Sequence, residues 1–187
     1  MKGSGTIAGT LAAPAIMAVA HGQGVDYHGL KVASFDANIN FDPAAVDKES
    51  HVDIGVRKLS YQTRTLDAAT FTLQGLPSAY DVHLSASAPG LAARLQARGA
   101  YANAIFRGQL TTLALSGTDA LRLSLDRPVD MLVSASHVRI EWLCLNGTPG
   151  SICADGDWTP AAWSTTASTD GLPLATLTAG MTPSVQY

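Results

Sequence analysis

An apolar–polar alternation of period two recurs along most of this chain. A backbone that carries it is driven into extended strands with one dry face and one wet face. The pattern is clearest between Leu121 and Trp158. There Leu121, Leu123 and Leu125 alternate with Arg122, Ser124 and Asp126, and Val138, Ile140 and Trp142 alternate with Arg139 and Glu141. Asn146-Gly147-Thr148-Pro149-Gly150 breaks the second run with turn chemistry. Cys144 and Cys153 flank that turn, where a disulfide would staple the hairpin and place the protein in an oxidising compartment such as a periplasm. Two buried free thiols are the other reading.

Taken in order, the chain repeats this grammar at the short intervals of an all-β protein. Ser4–Leu11 and Ala15–His21 read as two strands joined at Ala12-Ala13-Pro14. The same stretch resembles a secretory signal with Ala18-Val19-Ala20 as its cleavage site, but it lacks a leucine run and is broken by Pro14. A weaker segment follows Gly22-Gln23-Gly24. In Val32–Phe41 the side chains of Phe35, Ala37, Ile39 and Phe41 share one face. In His51–Tyr61 the apolar positions Val52, Ile54 and Val56 give way to Leu59 and Tyr61, a phase slip that predicts a bulge. Further strands are expected around Phe71 and Leu73, Val82–Ala88, Leu91–Ala97, Phe106–Leu115 and Trp163–Thr169. Leu172–Leu177 reads as the one short helix, with Pro173 at its first position.

Composition narrows the function. Charged residues make up 14% of the 187, against roughly 25% in an average soluble domain, so the wet faces are carried by Ser, Thr, Asn, Gln and Gly. A net charge of −3 without a basic run argues against a nucleic-acid partner. The five histidines (His21, His28, His51, His83 and His137) are dispersed and lack metal-ligand spacing, so no metal or other cofactor is expected. No nucleophile motif is present. Asp155 and Asp157 share a strand face and would offer a cation too few oxygens. The chain reads as a non-enzymatic protein.

Several stretches, kept in order, resemble the middle repeats of the TamB family, the translocation and assembly module proteins among the AsmA-like bridges. They are Gly3–Pro14, Arg64–Gly75, Phe106–Leu113, Leu143-Cys144-Leu145, Cys153–Trp158 and Gly171–Leu177. Phe106 stands where that family often has Trp. On this likeness residues 1–187 form a single β-repeat segment, without the family's N-terminal membrane anchor and C-terminal domain. The fold class it implies is all-β, an elongated, curled antiparallel sheet enclosing an apolar groove. In that family the sheet bridges the periplasm, and its parent protein is anchored in the inner membrane. It is linked to phospholipid transport, outer-membrane protein assembly and protein secretion. The partners implied are phospholipid acyl chains, neighbouring repeats, and an outer-membrane TamA-like protein reached through regions outside this chain.

Placed on the alternation, the groove candidates are Val52, Ile54 and Val56, then Phe71 and Leu73, then Val82 and Leu84, then Leu91 and Leu95. Leu121, Leu123 and Leu125 follow, with Val138 and Ile140. The competing reading folds the same residues into a closed β-sandwich core. It makes the protein a secreted binding module with Trp158 and Trp163 as a ligand platform.

Overall fold

A computed structural model describes residues 2–10, 13–118 and 120–172, and every regular element in them is a β-strand. In chain order these are β1 (Lys2–Thr10), β2 (Ala13–Tyr27), β3 (Leu30–Phe41), β4 (Ser50–Tyr61) and β5 (Arg64–Leu76). Then come β6 (Ala79–Ala88), β7 (Leu91–Ala102), β8 (Ile105–Gly117), β9 (Arg122–Leu125) and β10 (Val129–Ser134). The last three are β11 (Val138–Thr148), β12 (Ser151–Thr159) and β13 (Ala162–Asp170). All join one antiparallel sheet, the all-β class expected from the alternation. From β1 to β8 each strand pairs with the next. Between β8 and β11 the place of one strand is shared: β9 fills one half of the gap and β10 the other.

Several boundaries differ from the sequence reading. The segment after Gly24 is not a weak connection: β2 carries on to Tyr27, paired with β3 as far as Leu30. Leu121 lies outside β9, before its first paired residue, so it does not extend the leucine face of that strand. Val129–Ser134 forms its own strand, which Asp126-Arg127-Pro128 separates from β9. The helix expected over Leu172–Leu177 falls, from Pro173 onward, outside the described residues.

The phase slip in β4 has a visible cause. Lys58 adopts φ 48, and the half-buried positions change parity across it, from Val56 to Leu59. On the neighbouring strands the apolar positions shift at the same level, between Val32 and Phe35 on β3 and between Leu66 and Ala69 on β5. The pairing register is the same on either side, Ser34↔Arg57 and Val32↔Leu59, so the expected bulge is absent: no residue is inserted, and the ladder shifts register instead between Gln96 and Ala97 on β7 and between Ile140 and Leu143 on β11.

The sheet is curled and single-layered. Neighbouring strands lie about 4.8 Å apart, so β3 and β7 would be roughly 19 Å apart in a flat sheet. Yet the rings of Phe41 and Tyr101, at the ends of those strands, are 5.9 Å apart. Phe41 also packs against Tyr80 at 6.0 Å, and Tyr80 reaches across β5 to bond with Ser50 Oγ at 3.0 Å. Glycines permit that curvature: Ser50, Gly75, Tyr80, Gly99 and Gly108 occupy one cross-strand row. A Cβ on Gly99 would stand 2.6 Å from Gly108 Cα and 2.8 Å from the Phe106 ring. A closed sandwich is not what forms. The accessible surface is 12545 Å², whereas a compact monomer of 19.4 kDa exposes roughly 8,500 Å².

Candidate functional site

Cross-strand pairing turns the local alternation into continuous apolar rows. The deepest runs Ala18, Ile39, Val52, Leu73, Val82, Ala97, Leu110 and Val129, one residue from each of β2 to β8 and then β10. Val52, Ala97, Leu110 and Val129 are buried, which makes this row the floor of the curled face. The next row holds Ala37, Ile54, Phe71, Leu84, Leu95 and Leu113. Leu84 is 40% exposed, so this wall of the groove is open to whatever enters. A third row contains Phe35, Val56, Ala69, Ala86, Ala93, Leu115 and Leu123.

These rows bring together most of the candidates named from sequence. Val52, Leu73 and Val82 lie on the floor, Ile54, Phe71, Leu84 and Leu95 in the next row, and Val56 with Leu123 one row further out on the same side. Leu125 pairs with the buried Leu145. Ile140 pairs with Met131, and Val138 belongs to an aromatic row with Tyr101, Phe106, Val133, Trp158 and Trp163. Leu91 sits at the start of β7, 47% exposed. Leu121 stands apart from the rows. The positions that sequence reasoning missed are Leu110, Val129, Leu145 and Tyr80, each among the most buried apolar side chains described. Tyr80 was in principle legible, because it is in phase with Val82 and Leu84.

The opposite face is a polar ladder. Thr70 meets Ser85 at 2.6 Å, Arg98 Nε donates to Asp81 at 2.6 Å, and Gln109 donates to Asp130 at 3.0 Å. His51 lies beside Asp53 at 2.5 Å and His137 beside Asp157 at 3.1 Å, two separate pairs far apart in the sheet order. Asp155 accepts from the Thr166 amide at 2.8 Å, and Asp157 is engaged by His137. Those two carboxylates are therefore occupied in holding strands together. No cluster of three metal-ligating side chains occurs among the described residues. Cys144 and Cys153 are directly opposite on β11 and β12, with Cα atoms 4.0 Å apart and the two sulfurs bonded.

The turns gather along two rims. Residues 42–49, 77–78, 103–104, 135–137 and 160–161 lie on the first. Residues 28–29, 62–63, 89–90 and 149–150 lie on the second. The Phe41–Tyr80–Tyr101 cluster closes over the first rim, tied by the Tyr101 amide donating to the Pro77 carbonyl at 2.7 Å. With nearly every strand running from one rim to the other, the groove follows the direction in which strands stack.

A family model described as TamB, N-terminal domain, matches residues 1–186, essentially the whole chain. The chain belongs to the TamB family. No characterised protein and no solved structure shows a significant match to it. The TamB family is a non-enzymatic transport and assembly component, and membership supports a TamB-like bridge role for this chain.

Proposed function

We propose that this chain forms part of a periplasmic TamB bridge whose apolar groove carries phospholipid acyl chains between membranes, in support of outer-membrane assembly and secretion. The single observation that carries this reading is the uninterrupted apolar floor from Ala18 to Val129, crossing eight strands with no charged side chain in it. Each methylene that leaves water for such a surface gains about 0.8 kcal/mol. The lining is mostly aliphatic and makes no demand for ring stacking or hydrogen bonding, so it suits chains that slide along it. Among the described residues β1 and β13 are the first and last strands of the sheet order, which supports a place among the family's repeats with neighbouring repeats docked on both sides. An outer-membrane TamA-like partner would be met through other parts of the parent protein, itself anchored in the inner membrane.

The test is lipid photo-crosslinking of a periplasm-directed chain, with a photoreactive residue at Leu84 or Leu123 and a control at Arg122. Leu84 and Leu123 face the groove, while Arg122 lies on the polar side of β9. Lipid adducts at both leucines and none at Arg122 are expected. A folded chain free of adducts at both leucines would overturn the reading.

A further inference from the structure

The two rims of the groove are chemically unlike. We propose that the second rim, through Tyr27, Tyr61 and Arg64, holds the phosphate headgroups of phospholipids whose acyl chains lie in the groove. This rests on the acyl-chain reading above and adds an orientation and a headgroup contact to it.

Three observations converge on that rim. The first is closure. The opposite rim is bridged from β3 to β7 by the rings of Phe41, Tyr80 and Tyr101, whereas no aromatic cluster of that kind bridges the second rim among the described residues. The second is the row at the strand ends. Beyond the Lys58 kink the apolar side continues as Val32, Leu59 and Leu66, and two residues further on it finishes as Tyr27, Leu30, Tyr61 and Arg64. Tyr27 is 68% exposed, with its ring edge-on to His28, and Tyr61 is 48% exposed, so both offer ring and hydroxyl at this rim. Tyrosine is enriched where an apolar phase meets headgroups, and a guanidinium binds a phosphodiester with two parallel hydrogen bonds.

The third observation is charge. Arg64 stands in the rim row opposite Tyr61 and makes no ion pair among the described residues. Only Lys31 is engaged there, by Asp26 at 3.7 Å. Toward the first rim, Arg98 and Arg139 are each held by a carboxylate, and Asp42, Asp47, Glu49, Asp130 and Asp157 accumulate. A phosphate at the first rim would meet that cluster of carboxylates, whereas at the second it meets Arg64 beside the Tyr61 and Tyr27 row.

The experiment compares binding of dioctanoyl-phosphatidylglycerol and dioctanoylglycerol, which differ only in the phosphoglycerol headgroup, to the wild-type chain, Arg64→Glu and Arg107→Glu. Arg64→Glu is expected to weaken phosphatidylglycerol binding by about fivefold or more and leave dioctanoylglycerol unchanged. Arg107→Glu makes the same charge change near the other rim and is expected to alter neither. If Arg64→Glu leaves phosphatidylglycerol binding intact, or both variants weaken it equally, the headgroup assignment is overturned while the groove stands. If wild-type chain binds neither lipid, the groove reading fails and takes this inference with it.

Discussion

Tyr80 reaches Ser50 by passing above Gly75, the residue directly between them in the cross-strand row, and the passage exists because that neighbour has no side chain. Its ring is fully buried, and the only polar partner described for its hydroxyl is Ser50 Oγ, which also accepts from the Asp42 amide at 3.2 Å. Tyr80→Phe keeps the ring and loses the hydrogen bond. A loss of about 1 kcal/mol is expected from urea unfolding at neutral pH. Burial also pushes the Tyr80 phenol above its ordinary pKa of 10.0, with the Ser50 bond opposing that shift. The folded chain then holds the proton after the unfolded chain has released it. The stability this contributes is present below pH 10 and is lost as pH rises through the folded value, so the wild-type chain should weaken more steeply there than Tyr80→Phe. Glycines divide in the same residue-level way. Gly99→Ala forces a methyl against the Arg107 carbonyl and Gly108 Cα, which costs about 1–3 kcal/mol, while Gly55→Ala places one in open space and should leave the midpoint unchanged or raise it.

At the scale of the strand, the kink at Lys58 decides which side chains reach the groove. A lysine at φ 48 bears the left-handed penalty of about 1–2 kcal/mol that glycine escapes. Lys58→Gly should therefore stabilise the chain by about 0.5–1 kcal/mol, once glycine's extra unfolded-state entropy is counted. Lys58→Val, with a branched side chain at the same φ, should destabilise it. Urea midpoints at unchanged slope would establish both. The division of one strand's place between β9 and β10 belongs to this scale as well. Pro128 supplies no amide hydrogen, and the connection from Asp126 to Pro128 is tied back by the Asp126 amide donating to the Cys144 carbonyl at 3.0 Å.

Across the whole molecule, a single curled layer buries few side chains completely, and protection should follow the rows. Backbone amides of β4 to β8 have partners on both sides, whereas among the described residues β1 and β13 have one neighbouring strand each and are exposed throughout. Native-state hydrogen exchange should accordingly be slowest at Val52, Val82 and Leu110. It should be fast at the amides of β1 and β13 that point away from β2 and β12. Equal protection across all strands would mean that the two edges are covered in solution, for example by a second copy of the chain.

Strand placement and the polarity of each face were legible in the residues because alternation is a local property. Val52, Ile54 and Val56 announce their face with no knowledge of β3 or β5, while the slip to Leu59 marked the right place but the wrong device, a positive-φ lysine standing where a bulge was expected. The hairpin around Asn146–Gly150 was legible for the same reason. The break between β9 and β10 was not, because Leu123, Leu125 and Val129 are all apolar and their parity does not change across it. Nor could alternation reveal that Leu110 and Val129 lie deeper than Leu84, since depth depends on which residues face each other across strands. Curvature could not be read from alternation, and only the family resemblance pointed to it. It arises where Gly75, Gly99 and Gly108 fall in one row and where Phe41 meets Tyr101, contacts between residues far apart in sequence that cost chain entropy and exist only in the assembled sheet. By itself the sequence determined a long antiparallel sheet with one apolar and one polar face. Only the tertiary structure decided that this sheet curls into a groove with one closed rim and one open rim, because curvature is set by packing between strands and not by the order of residues within them.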